Sequence, residues 1–289
     1  MVVFLGCLAG ALFGGVNVAM RVGLRRLPDT VTGGFVTGVI ALIFVLIVGL
    51  VTTRPGEVRL DEAWPFFLIG MLVPGFSQIL WVRAIHDAGP SRAAILISTS
   101  PLLATLLALS FLSEPFRAGL ALGTLLIVSG AISLAWEPVR PHDFRTVGAL
   151  FAVGVAVCLA FRDYLVRLVA RESPVPPLVA ATSLLAGACV VLLVHYLAAR
   201  RGNAEVAEAH RSFRPFLAAG VLMGLVYVTL VLALDRGRVT VVAPLYSTTA
   251  LWTIFFAALV LGRSEVIGRR LLFAAVLVVA GGALIGASR

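Results

Sequence analysis

The sequence predicts an all-α integral membrane protein of about ten transmembrane helices, built as two inverted five-helix repeats. Three observations predict this. The chain is 60% hydrophobic and only 13% charged, with a mean hydropathy of +1.06, whereas a soluble domain runs near 45–50% apolar and about 25% charged. It contains ten long runs without Asp, Glu, Lys or Arg. Its two halves also resemble each other.

The charge-free runs cover residues 1–20, 30–53, 63–82, 93–113, 118–136, 146–161, 173–199, 215–234, 239–262 and 271–288. A helix needs roughly 17–25 apolar residues to cross the hydrocarbon core. Nine runs reach that length, and the sixth does so only if Arg162 and Asp163 lie within the helix. A large soluble core would show polar faces every few residues, and barrel strands would be half as long and would alternate. Backbone groups in lipid must be paired locally, so these runs read as helices. The opening MVVFLGCLAG lacks a basic leader and reads as the start of the first membrane helix.

Glycines spaced by four recur within the runs: Gly6-Gly10-Gly14, Gly34-Gly38, Gly119-Gly123, Gly220-Gly224 and Gly282-Gly286. Small residues at that spacing let helices approach closely where lipid supplies no hydrophobic drive, so they read as packing seams. Cys7, Cys158 and Cys189 fall inside apolar runs and read as small buried residues.

All 23 basic residues are arginine. Without lysine the chain has no Walker A motif and no lysine Schiff base. The net charge of +9 sits in short clusters between apolar runs, such as Arg25–Arg26, Arg200–Arg201 and Arg269–Arg270. That distribution suits lipid headgroups and not nucleic acid. Neither H-E-x-x-H, nor G-x-S-x-G, nor a pair of intramembrane aspartates is present. No cofactor, metal or catalytic residue is expected.

The internal repeat carries the most functional information. Residues 84–114 and 233–265 align with Ala84 on Ala233 and Ser98-Thr99-Ser100 on Ser247-Thr248-Thr249, an offset of 149. Glu114 matches Glu265 after two inserted residues, and Asn17…Arg21 pairs with Asp163…Arg167. The repeats are read as residues 1–140 and 141–289 of one transmembrane domain. Five helices is an odd number, so the second copy enters the membrane in the opposite sense. Inverted repeats bind substrate near the midplane and alternate its access.

Ala84-Ile85…Ser98-Thr99-Ser100-Pro101-Leu102, the terminal Leu112-Ser113-Glu114 with its second copy Arg263-Ser264-Glu265, and the glycine-rich Gly123…Gly130 together resemble the drug/metabolite transporter superfamily. More closely, the chain resembles its ten-helix EamA-like branch, over nearly the whole length. The second repeat departs by having Ala250 where the first has Pro101. The resemblance implies a secondary transporter in the cell inner membrane, an exporter of amino acids or similar small amphipathic solutes. It also implies both termini in the cytoplasm. The arginines divide 14 to 9 between the two sides, with both termini on the poorer side, and the positive-inside rule places that side outside. Rival readings are a lipid or lipid-linked sugar flippase, an integral membrane enzyme and a non-transporting scaffold. The partners expected are a small-molecule substrate, membrane lipids and protons as coupling ion, for a monomer or homodimer.

Polar groups within membrane helices are costly, so they are candidates for function. A cavity walled by helices 1, 3, 4, 6, 8 and 9 would be lined by Asn17, Gln78, Trp81, Ser98, Asp163, Tyr164, Tyr227, Tyr246, Ser247 and Trp252. Against this, Trp81 fits equally in an interfacial aromatic belt, and Asp163 fits an i,i+4 ion pair with Arg167. Arg21 reads as snorkelling to the interface. The hydroxyls beside Pro101 and Pro244 could serve only to satisfy carbonyls freed by those prolines. His86 and His195 lie near helix ends, where a solvated histidine is the ordinary case. Glu114 and Glu265 read as interfacial caps.

Overall fold

The computed structural model describes residues 2–53, 61–100, 102–103, 118–135, 144–170, 175–200, 213–236, 246, 248–262 and 268–287. Among the described residues we number ten helical segments. These are α1 (Val2–Arg26), α2 (Thr30–Thr52), α3 (Trp64–Ala88), α4 (Pro90–Ile97) and α5 (Ala118–Ala135). They continue with α6 (Thr146–Ala170), α7 (Pro177–Arg200), α8 (Leu217–Arg236), α9 (Thr249–Leu261) and α10 (Arg269–Ala287). No strand occurs among the described residues. Five helices are long and apolar enough to cross a membrane: those at Val3–Arg26, Thr30–Thr52, Trp64–Ala88, Pro177–Arg200 and Arg214–Ala233. α6 runs without interruption through Arg162 and Asp163.

Each segment ends where local chemistry dictates. Asp29 caps α2, its Oδ1 accepting from the amides of Val31 and Thr32 at 3.0 and 3.1 Å, which satisfies donors that the first turn leaves open. Gly89, at φ 85°, turns the chain between α3 and Pro90 at the start of α4. α3 is irregular in its middle. Residues Met71–Phe76 form a π turn around Pro74, and Val73 leaves helical geometry at φ −140° and ψ 114°. Proline cannot donate to the helical ladder. The Ser77 hydroxyl points back to the carbonyl of Pro74 at 3.4 Å.

The helices pair closely. α1 packs on α8 and α9, α2 on α7 and α8, α3 on α6 and α7, α4 on α6 and α9, and α5 on α10. α1 and α9 run parallel, as the contacts of Thr249 with Gly10 and of Asn17 with Thr253 require. α3 and α6 run antiparallel, with Gly148 against Ala88 and Gly154 against Leu80. The closest approach joins α3 and α7. A Cβ on Gly70 would lie 2.0 Å from the Leu184 carbonyl oxygen, and one on Gly187 would lie 2.0 Å from that of Phe67.

Large apolar side chains cover the outside, including Leu50, Val51 and Val194 at 74, 80 and 62% exposure. Such a surface belongs in lipid. Inside, the main core gathers Val16, Met20 and Leu24 of α1, Ala84 and Ile85 of α3, and Phe216 and Ala219. These residues pack the half of the bundle towards which α1 ends, below a pocket of about 460 Å³ lined by Arg21, Arg25, His86, Asp87 and Arg145.

Candidate functional site

A cavity of about 100 Å³ lies at the centre of the bundle, room for several water molecules. Its walls come from α1, α3, α4, α6 and α8 and from Tyr246 and Thr249 at the start of α9. Most of the wall residues lie near the middle of their helices. α3 contributes its irregular stretch, Val73 and Pro74, followed by Ser77, Gln78 and Trp81. The break therefore sits at the cavity, where non-helical backbone can face space instead of lipid.

The wall residues of the two halves correspond. Under the pairing of Asn17 with Asp163, Phe13 pairs with Leu159, and at the offset of 149, Pro74 pairs with Met223, Ser77 with Val226 and Gln78 with Tyr227. Trp81 likewise pairs with Leu230, Ile97 with Tyr246 and Ser100 with Thr249. Both members of all seven pairs line this one cavity.

Hydrogen bonds fix the wall from behind. Trp81 Nε1 donates to Asn17 Oδ1 at 2.9 Å, and Asn17 Nδ2 donates to Thr253 Oγ1 at 3.0 Å. The Thr253 hydroxyl donates to the Thr249 carbonyl at 2.8 Å. One buried amide thus ties α1, α3 and α9 together. Gln78 Nε2 donates to the Gly34 carbonyl of α2 at 2.9 Å. Phe13 stacks on Trp81, with centroids 6.1 Å apart, and meets Tyr246 at 5.8 Å, separations typical of favourable aromatic pairs.

Of the side chains singled out from the sequence, Gln78, Trp81, Ser98, Tyr227 and Tyr246 line the cavity. Asn17 stands behind its wall, 1% exposed, and positions Trp81. Trp252 lies elsewhere: it is 36% exposed and packs against Phe255 and Phe256. Ser247, Pro101, Pro244, Glu114 and Glu265 lie outside the described residues, as do the side chains of Asp163 and Tyr164. Arg21 does not extend to open solvent. It is 8% exposed, and its guanidinium donates to the carbonyls of Ile85 and His86 at the end of α3. A cation there complements the helix C-terminus. His86 Nδ1 lies 2.8 Å from the Asp87 carboxylate. Among the described residues no group of three or more His, Cys, Asp or Glu could hold a metal.

Sequence reasoning did not assign Phe13, Ser77, Leu159 or Met223 to the wall. They were reachable through the repeat, which maps Met223 onto Pro74 and, with Asn17 on Asp163, Phe13 onto Leu159.

Residues 1–136 and 146–287 match the EamA-like transporter family. A crystal structure described only as that of a protein superposes on the chain with a TM-score of 0.64. The match covers 98% of this chain and 95% of that one at 20% identity, which shows a shared fold. No curated protein matches the sequence. The chain belongs to the EamA-like transporter family, a multi-pass membrane family of the drug/metabolite transporter superfamily.

Proposed function

We propose that the protein is a secondary transporter that exports a small amphipathic metabolite, an amino acid or a solute like it, by alternating access across the cell inner membrane. In this reading ten helices span the bilayer as two inverted repeats, residues 1–140 and 141–289. Gln78, Trp81, Ser98, Tyr227 and Tyr246 contact the solute, and Asn17 holds Trp81 in place. Energy comes from the proton gradient or from the solute's own gradient.

The observation that carries this reading is the set of seven wall pairs related by the internal repeat. Two halves that contribute equivalent residues to a single mid-height cavity are what a repeat interface binding site requires. The helix contacts support it too. Exchanging each helix of the first half with its counterpart turns α1–α8 into α3–α6, α2–α8 into α3–α7, and α1–α9 into α4–α6. The pairs α2–α7, α4–α9 and α5–α10 map onto themselves. The cavity is mostly apolar with a few polar groups, the usual character of a small-molecule site.

Thermal stability of the purified protein against amino acids, sugars, nucleosides and lipids tests this. A ligand present at 100 times its Kd stabilises by about 2.7 kcal/mol. One class of small solute is expected to raise the unfolding midpoint, and Tyr227→Leu is expected to abolish the shift. Stabilisation by lipids alone would replace the reading with a flippase, and no shift by any solute would remove its support.

A further inference from the structure

The polar side chains of the cavity wall differ in which end they turn to the open space. Gln78 is 4% exposed, and its amide nitrogen donates to the Gly34 carbonyl at 2.9 Å. A carbonyl only accepts, so the end of the amide that faces Gly34 is the nitrogen. Gly34 belongs to α2, which contributes no residue to the wall. The oxygen is therefore the end of Gln78 left for the cavity, an acceptor with no hydrogen bond among the described residues. Other protons of the wall are likewise committed inside the protein. Trp81 gives its N–H to Asn17 at 2.9 Å, and the Ser77 hydroxyl points to the Pro74 carbonyl at 3.4 Å. The Thr249 hydroxyl donates to the carbonyls of Tyr246 and Gly10 at 2.7 and 3.2 Å. What these groups keep for a ligand is lone pairs or, in Trp81, a ring face. The hydroxyls of Ser98 and Tyr227 can serve either role, and Arg162 on the same wall is itself engaged within the protein. A buried amide oxygen without a partner is costly, so a wall that leaves one facing a cavity is matched to a ligand that brings the donor.

We propose that the Gln78 carbonyl oxygen selects the solute by accepting a hydrogen bond from it. The substrate class is then an apolar or aromatic body that carries an O–H or N–H donor, and analogues that only accept are rejected. This rests on the transporter reading above and deepens it. Gln78 and Trp81 are three residues apart on α3 and share one face. The donor of the solute therefore docks beside the ring cluster of Phe13, Trp81 and Tyr246, with centroids 6.1 and 5.8 Å apart, and the rings take its body. The selection belongs to one half of the protein. At the offset of 149 the place of Gln78 is taken by Tyr227, whose phenol donates as readily as it accepts. A solute whose donor is bound by the amide oxygen thus has one orientation in a cavity that two similar halves enclose.

Two probes of nearly the same shape test the assignment: 4-phenylbutan-2-ol, which donates and accepts, and 4-phenylbutan-2-one, which only accepts. Affinities are read from the thermal midpoint of the full-length protein in nanodiscs as each probe is titrated. The alcohol is expected to bind about tenfold tighter than the ketone, the scale of leaving one buried acceptor unpaired. Gln78→Met keeps the length of the side chain without the oxygen, and it is expected to bring alcohol and ketone together. Phe13→Leu is expected to weaken both by a similar factor and keep their ratio. Equal binding of alcohol and ketone by the unmodified protein overturns the proposal without any variant having to fold. A preference for the alcohol that survives Gln78→Met overturns the assignment to Gln78. If neither probe binds while a solute of the earlier panel does, the substrate class proposed here fails and the cavity still binds a solute. If nothing in either panel binds, the transporter reading fails with it.

Discussion

At the scale of single residues, Asn17 braces the cavity from behind its wall. Its amide accepts from Trp81 and donates to Thr253, and all three groups are buried. Removing one partner leaves a buried donor unsatisfied, which costs about 1–3 kcal/mol. Asn17→Ala is expected to lower stability by that amount, read from the thermal midpoint, and to shift Trp81 fluorescence. Thr253→Val should cost about 1 kcal/mol, and the double variant should show coupling of about 0.5 kcal/mol or more, because the two groups touch. Strictly additive effects would mean the bond contributes nothing.

The same scale explains why Trp252 stands apart from the cavity. The segment Tyr246 to Trp252 reads as one polar and aromatic patch, yet a helix distributes seven residues around its whole circumference. Thr249 and Thr253, four apart, share the inward face, and both are buried against α1. Trp252 points to the outside with Phe255. Applying the helical period to that patch would have separated them.

At the scale of elements, the positions of the helices were legible because lipid simplifies the signal. Run length without charge is enough when every backbone group must bond within its own segment. The break in α3 was less legible. Pro101 and Pro244 stand beside runs of hydroxyl residues, whereas Pro74 in VPGFS has only Ser77 near it in the sequence. The glycine seams were read in part. Gly220 and Gly224 do lie against Ile40 and Phe44 of α2. The tightest pair, Gly70 and Gly187, lies on two different helices, where no spacing rule reaches it. Gly187→Ala places a methyl against backbone that cannot yield, and overpacking of this kind costs about 1–3 kcal/mol. Gly49 meets only Thr182 Oγ1 at 3.8 Å, so Gly49→Ala is expected to stay within about 0.5 kcal/mol. Thermal midpoints of the two variants should separate clearly, and equal midpoints would contradict the close α3–α7 contact.

At the scale of the whole molecule, the internal repeat is the sequence feature on which the proposed function rests most directly. An offset found from Ala84 and Ala233 says which residues of the two halves correspond, and the cavity is lined by both members of several such pairs. What it could not state is which half of the bundle is packed, because packing on one side of a cavity depends on conformation and not on composition. Here Val16, Met20, Ile85 and Phe216 close the half towards the end of α1. An alternating protein must open that half during turnover. In a background without Cys7, Cys158 and Cys189, Met20→Cys should react slowly with a water-soluble maleimide and several-fold faster once solute is supplied. An unchanged rate would argue that the half never opens.

The account stands most directly on solute counterflow. Vesicles containing the purified protein would be loaded with an unlabelled solute from the class that stabilises it, and then given a trace of the same solute labelled outside. The account predicts a transient accumulation of label above equilibrium, saturable in the internal solute and lost in Tyr227→Leu. Label that enters no faster than in protein-free vesicles, for every solute that binds, would show a cavity that holds its ligand without carrying it, and would contradict the transporter reading.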